Sequence, residues 1–150
     1  MAEKKILIVD YDAGSLEKVI KLLKPHKFKI LTAADGQAGY EAFHAEGPDL
    51  VIVEAMLPKM HGFDLTQKIS RETAGRIPVI LVTGLYRGPQ YRQEALNALG
   101  ASDYFEKPLD GAAFVASVKR LLHDDDDFGV DLPDSNEVIE ALSRRKGQRP

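Results

Sequence analysis

Five residues could do chemistry together: Asp10, Asp12, Glu54, Thr83 and Lys107. Asp10 closes the run "KKILIVD", with Asp12 two residues on. Glu54 closes "DLVIVE", Thr83 closes "IPVILVT", and Lys107 follows "SDYFE" and precedes Pro108. Each stands at the carboxyl end of a short apolar run. Carboxylates gathered at one edge can hold a cation, and a hydroxyl and an ammonium can receive an anion. A lone acid after an apolar run is ordinarily a helix cap or a solvated loop residue. Acids, a hydroxyl and a lysine arriving together are far more specific.

The elements that must position them alternate. "KKILIVD", "FKILTA", "DLVIVE", "IPVILVT" and "SDYFEKP" read as strands, because they are short and β-branched or continuously apolar. Between them lie helical patterns. Leu16, Val19, Ile20, Leu22 and Leu23 recur at helix spacing up to Pro25. Asp35 opens a second helix that Gly47-Pro48 closes, Phe63, Leu65 and Ile69 mark a third, and Gly100 stops a fourth. Phe114, Val118 and Leu121–Leu122 mark the fifth. Five strand–helix units with continuously apolar strands predict an α/β protein with a parallel sheet covered on both faces. In such open sheets, ligands bind outside the carboxyl ends of the strands, which is where the five residues fall.

Composition narrows the class. The 150 residues are 44% hydrophobic and 29% charged, with a formal net charge of −3 and no cysteine. Disulfides, thiolate metal sites and thiol nucleophiles are therefore excluded. No apolar stretch approaches the length of a membrane span, and a cytoplasmic protein is expected. Residues 1–122 carry 16 basic and 15 acidic residues, which leaves no footprint for nucleic acid. Residues 123–150 carry 8 acidic and 4 basic residues and begin with the block Asp124–Asp127. They read as an acidic linker followed by a C-terminal helix near "LPDSNEVIEALSRRK", the start of a longer linker or extension. His26, His44, His61 and His123 show no metal-ligand spacing and read as solvated residues.

The segments "ILIVDYD", "PDLVIVEAMLPKMHGFDL", "IPVILVTG" and "GASDYFEKPL" resemble the receiver domain of two-component response regulators over residues 4–122. The resemblance implies a flavodoxin-like doubly wound sheet of five parallel strands, order 2-1-3-4-5, with five helices; a receiver protein is among the established examples of that order. It implies a receiver domain over residues 1–122. It places Glu54 where the family has a phosphoaccepting aspartate. Asp10 matches the first of two adjacent Mg2+-organising acids, and Tyr11 stands in place of the second, with Asp12 beside it. Thr83 matches the hydroxyl that turns towards the phosphoryl group, Lys107 the lysine that pairs with it, and Tyr104 the aromatic that swings between inward and outward rotamers. Pro108 matches a proline with a cis bond before it. Gly62 matches the loop glycine, while His61 replaces a common aspartate.

The two departures act against phosphoryl transfer. Mg2+ requires near-octahedral oxygen ligation, and a phenol in place of a carboxylate removes a negative ligand and adds bulk. Glutamate moves its carboxylate out by one methylene, roughly 1.5 Å, and a misplacement of about 1 Å can cost on the order of 100-fold in a positioned reaction. No cofactor is therefore expected, with Mg2+ held only weakly, by Asp10 and Glu54 if at all. A metal-free Glu54–Lys107 contact becomes available instead. The expectation is a receiver that works without phosphorylation, is not an enzyme, and acts as a protein-interaction module in a phosphorelay. As the family implies, its partner face is the fourth helix, fifth strand and fifth helix, with Tyr86, Arg87, Tyr91, Arg92, Tyr104 and Lys119 as candidates. A downstream effector domain would follow in a longer protein. The competing expectation is a working Mg2+-dependent phosphoacceptor. A flavin-binding protein is the third, but "DYDAGS" after the first strand is acidic and lacks a glycine-rich phosphate cradle.

Overall fold

The computed structural model describes residues 3–123. The expected linker and C-terminal helix lie outside the described residues. Five strands, β1 (Lys5–Val9), β2 (Lys29–Ala33), β3 (Leu50–Glu54), β4 (Val79–Thr83) and β5 (Asp103–Glu106), form one sheet. All neighbours are parallel and the order is β2-β1-β3-β4-β5. The helices are α1 (Ala13–Leu23), α2 (Gly36–Glu46), α3 (Gly62–Thr73), α4 (Pro89–Asn97) and α5 (Gly111–Leu122).

Side chains alternate across the sheet, so each strand feeds two cores. Leu7, Val9, Val51, Val53, Val79 and Leu81 meet Phe43, Leu65, Ile69 and Ala95 from α2, α3 and α4. Ile6, Ile8, Leu50, Ile52, Ile80 and Val82 meet Val19, Leu23, Phe114, Val118 and Leu122 from α1 and α5. Both faces are thus covered, which is why β3 and β4 are buried at every position and read as unbroken apolar runs.

Most helix starts are capped by the first side chain before them. Asp12, Asp35 and Asp110 accept backbone N–H groups of α1, α2 and α5. Helix α4 ends earlier than the expected stop at Gly100, because Ala98 and Leu99 both donate to the carbonyl of Glu94 and close its last turn. Gly100 serves packing instead: with φ at +81°, a Cβ there would meet Ser70 Oγ at 2.1 Å.

Gly62 bears directly on the carboxyl end of β3. A Cβ at this position would stand 2.2 Å from the carbonyl oxygen of Glu54 and 2.7 Å from Ala55 Cα. Gly62→Ala should therefore cost about 1–3 kcal/mol, read as a lowered urea midpoint. Gly84→Ala, where the nearest atom would be Lys107 Cβ at 3.8 Å, should leave the unfolding free energy within about 0.5 kcal/mol of wild type.

Candidate functional site

Parallel register brings the carboxyl ends of β1, β3 and β4 together. Val9 pairs with Val53, and Glu54 pairs with Val82. Asp10 and Glu54 lie just there, only 3% and 6% exposed. Lys107 enters from the far side, where its N–H donates to the Thr83 carbonyl at 2.8 Å. The Lys107–Pro108 peptide bond is cis.

The ammonium of Lys107 gathers the site. Its Nζ donates to Glu54 Oε1 at 2.5 Å, to Ser15 Oγ at 2.5 Å and to Asp10 Oδ2 at 3.2 Å. An ammonium has three donors and no acceptor, so its capacity is spent. The other carboxylate oxygens are also engaged: Asp10 Oδ1 accepts from the Asp12 N–H at 3.0 Å and Glu54 Oε2 from the Met56 N–H at 3.2 Å. Burial pushes the Lys107 pKa down, but the hydrogen bond and charge of Glu54, then those of Asp10, outweigh it, and the net direction is up.

The other site residues divide. Asp12 turns away from the floor, and its Oδ2 caps α1 by accepting the Ser15 N–H at 2.8 Å. Tyr11, whose phenol adds bulk beside Asp10, stands at the rim of the cavity rather than on its floor and is 58% exposed. Thr83 is buried but does not reach for Glu54; its Oγ1 accepts the N–H groups of Leu85 at 3.0 Å and Tyr86 at 3.3 Å. This donor set does not fit Mg2+. A lysine ammonium already stands against both buried carboxylates, and the third acid is a helix cap. Among the described residues, no three His, Asp or Glu side chains are grouped so as to hold a metal ion.

Tyr104 faces inward, 3% exposed, with its hydroxyl donating to the Tyr86 carbonyl at 2.5 Å. Burial, aided by the charge of Glu106, pushes its phenol up to about 12. Tyr86 and Tyr91 are half-buried neighbours in a ring cluster with Phe63 and His61. The two candidate arginines are engaged within the chain. Arg87 donates to the Lys107 carbonyl at 2.5 Å, and Arg92 to the Tyr104 carbonyl at 2.7 Å while pairing with Asp103 at 3.1 Å. Lys119 is half-buried on α5.

Three contributors were missed from sequence. Ser15 is the third partner of Lys107. His61 is not solvated: it is half-buried and caps α3, its Nδ1 accepting the Phe63 N–H at 3.1 Å. Asp103 is buried at the start of β5, where it accepts from Ser117 Oγ at 2.6 Å and from the Tyr104 N–H at 2.8 Å. Burial raises its pKa, but Ser117, the Tyr104 N–H and Arg92 together hold it below the usual carboxylate range.

A cavity of about 400 Å³ opens above the Lys107–Glu54 pair. The chain as a whole is similar to known proteins. The family model described as "Response regulator receiver domain" matches residues 6–119. The chain is 33% identical over 121 residues to a probable transcriptional regulator ycf27 from Guillardia theta, covering 80% of this chain and 46% of that protein. It is 31% identical to the transcriptional regulatory protein CrdR from Helicobacter pylori, covering 82% of this chain and 57% of that one. The chain therefore spans about half the length of the curated relatives it matches. Among solved structures, it is similar to the signal receiver domain of an HD domain-containing protein from Pseudomonas fluorescens Pf-5 (TM-score 0.74, 26% identity, 81% of this chain and 96% of that one). A CheY-like receiver from Methanospirillum hungatei JF-1 gives a TM-score of 0.73 at 28% identity, covering 84% of this chain and 98% of that one.

Removing the ammonium tests its role. Lys107→Met leaves two buried carboxylates uncompensated and should cost about 3–5 kcal/mol at neutral pH. Because the folded pKa of Lys107 is raised, its contribution is complete below the ordinary lysine value near ~10.4 and is lost as pH rises through the folded value. Stability followed by denaturant titration across alkaline pH should therefore show a falling limb that is diminished in Lys107→Met. Tyr104, whose phenol is pushed up to about 12, adds a limb of its own, which its ultraviolet absorbance reads separately in each protein. Identical alkaline profiles would contradict the assignment.

Proposed function

This chain belongs to the response regulator receiver family of two-component signalling, and on that premise we propose that it signals without being phosphorylated. Glu54 takes the place of the phosphoaccepting aspartate, and its carboxylate is already bonded to the lysine that would otherwise meet the phosphoryl group. The observation that carries this reading is the saturated ammonium: Glu54, Asp10 and Ser15 use all three of its donors. An incoming phosphoryl group would have to break those contacts. It would arrive beside two buried carboxylates and without the Mg2+ that normally offsets its charge. In this reading the chain catalyses no reaction.

The state so held is a single one. Thr83 stays committed to the backbone of the β4–α4 loop, and Tyr104 stays inward on the Tyr86 carbonyl. Arg92 ties α4 to β5, and Asp103 ties β5 to Ser117 of α5. The face made by α4, β5 and α5 is then presented in one arrangement to a protein partner, with Tyr86, Arg87, Tyr91, Arg92 and Lys119 as its candidate contacts. Relatives named as transcriptional regulators extend well beyond the matched segment, which supports a downstream effector domain as the recipient of the signal.

Treatment with acetyl phosphate and Mg2+ should add no phosphoryl mass to the intact protein. The pair of substitutions Tyr11→Asp and Glu54→Asp should restore Mg2+-dependent beryllofluoride binding by at least about 100-fold. A phosphoryl mass gain on the wild-type chain that disappears in Glu54→Gln would overturn the proposal and favour a working phosphoacceptor.

A further inference from the structure

The three exposed large apolar side chains among the described residues share one rim. They are Tyr11, Met56 at 39% exposure and Leu85 at 61%. Each lies two residues beyond the last residue of a strand: Tyr11 after β1, Met56 after β3 and Leu85 after β4. These strands are neighbours at the centre of the sheet, so the three side chains form a collar. All three line the cavity of about 400 Å³ that opens over the buried ion pair. Single exposed apolar residues need no explanation. Three grouped around one cavity make the pattern of an interaction site.

The charge inside the collar points to the partner. Asp10, Asp12 and Glu54 line the cavity against Lys107 alone. Lys107 has no donor left for a newcomer, because its three are spent within the chain. The cavity is therefore formally negative and offers no free cation. An anion is repelled, and an entering cation is favoured in a partly enclosed setting where screening is weaker than at open surface.

We propose that this collar docks a segment of a partner protein that sets a Lys or Arg among apolar side chains. The apolar groups would pack on Tyr11, Met56 and Leu85, and the cation would sit over Asp10 and Asp12. A second copy of this chain suits the surface poorly, since a two-fold contact would set one acidic cavity against another. The inference rests on the proposed function in one respect: the cavity is not taken up by a phosphoryl group. It concerns a different surface from the α4–β5–α5 face.

The test uses the full chain, isotope-labelled, and two synthetic peptides. One repeats Leu-Lys-Lys-Leu-Leu-Lys-Leu twice, and the other carries Glu at every Lys. The lysine peptide should shift the amide resonances of Tyr11, Met56 and Leu85 saturably. Leu85→Ser or Tyr11→Ser, with the remaining spectrum unchanged, should weaken binding about tenfold or more. The glutamate peptide should bind at least about tenfold more weakly than the lysine peptide. No binding, equal binding of the two peptides, shifts confined to another face, or indifference to both substitutions would overturn the proposal. If the lysine peptide binds only after residues 124–150 are deleted, the occupant is this chain's own C-terminal segment and the partner assignment falls. A parallel acetyl phosphate mass measurement separates the two readings. Peptide failure without a mass gain overturns the docking surface alone, and a mass gain overturns the phosphate-free reading itself.

Discussion

One ammonium organises the carboxyl edge of this sheet. Lys107 is mostly buried, and a buried cation is costly unless paired and fully hydrogen-bonded. Here each of its three protons has an oxygen: Glu54 from β3, Asp10 from the end of β1 and Ser15 from the first turn of α1. The contact joins parts of the chain separated by 53, 97 and 92 residues. A buried carboxylate left without a partner is as costly as a buried ammonium left without one. The three elements are thus held together by a mutual requirement rather than by a sum of independent bonds, and removing one member leaves the others uncompensated.

The fold supplies the edge, and side-chain lengths decide its chemistry. Parallel pairing lines up the ends of β1, β3 and β4, and the crossover helices leave that edge open. At the end of β3 a glutamate is long enough to bring an oxygen within 2.5 Å of Lys107 Nζ. A shorter acid would leave room there for a metal ion or a phosphoryl group. Around this contact Asp12 caps α1, Thr83 binds its own loop, and Tyr104 lies in the core. The result is a receiver architecture in which one internal cation joins β1, α1 and β3 at the open edge of the sheet.

Much of this was legible in the residues. A sheet covered on both faces writes its strands as unbroken apolar runs, so "LVIVE" and "VILVT" declared themselves, and so did the acid and the hydroxyl that end them. The helices were legible from their apolar spacing and from the aspartates that cap them. Tyr11 lies past the end of β1, where strand alternation no longer applies, so its exposed place at the rim carried no signal in the sequence. Ser15 carried no signal, because a serine in a first helical turn looks like any other and its partner lies in another part of the sequence. His61 sits where an acidic cap is common, and a histidine caps through Nδ1 only in the tautomer that leaves this nitrogen free to accept. Asp103 looked like a strand residue, and only the packing of α4 and α5 against β5 surrounds it with Arg92, Ser117 and Arg120.

The central claim is that Glu54 and Lys107 act as one unit that fixes the state of the domain. A double-mutant cycle measures that coupling most directly. Glu54→Gln, Lys107→Met and their combination would be compared by urea unfolding, with the Tyr104 ring resonances recorded for each. The account predicts a coupling of about 1–3 kcal/mol between the two positions and the same displaced Tyr104 signal in either single variant. Losses that add to within about 0.5 kcal/mol, with Tyr104 unmoved, would contradict it.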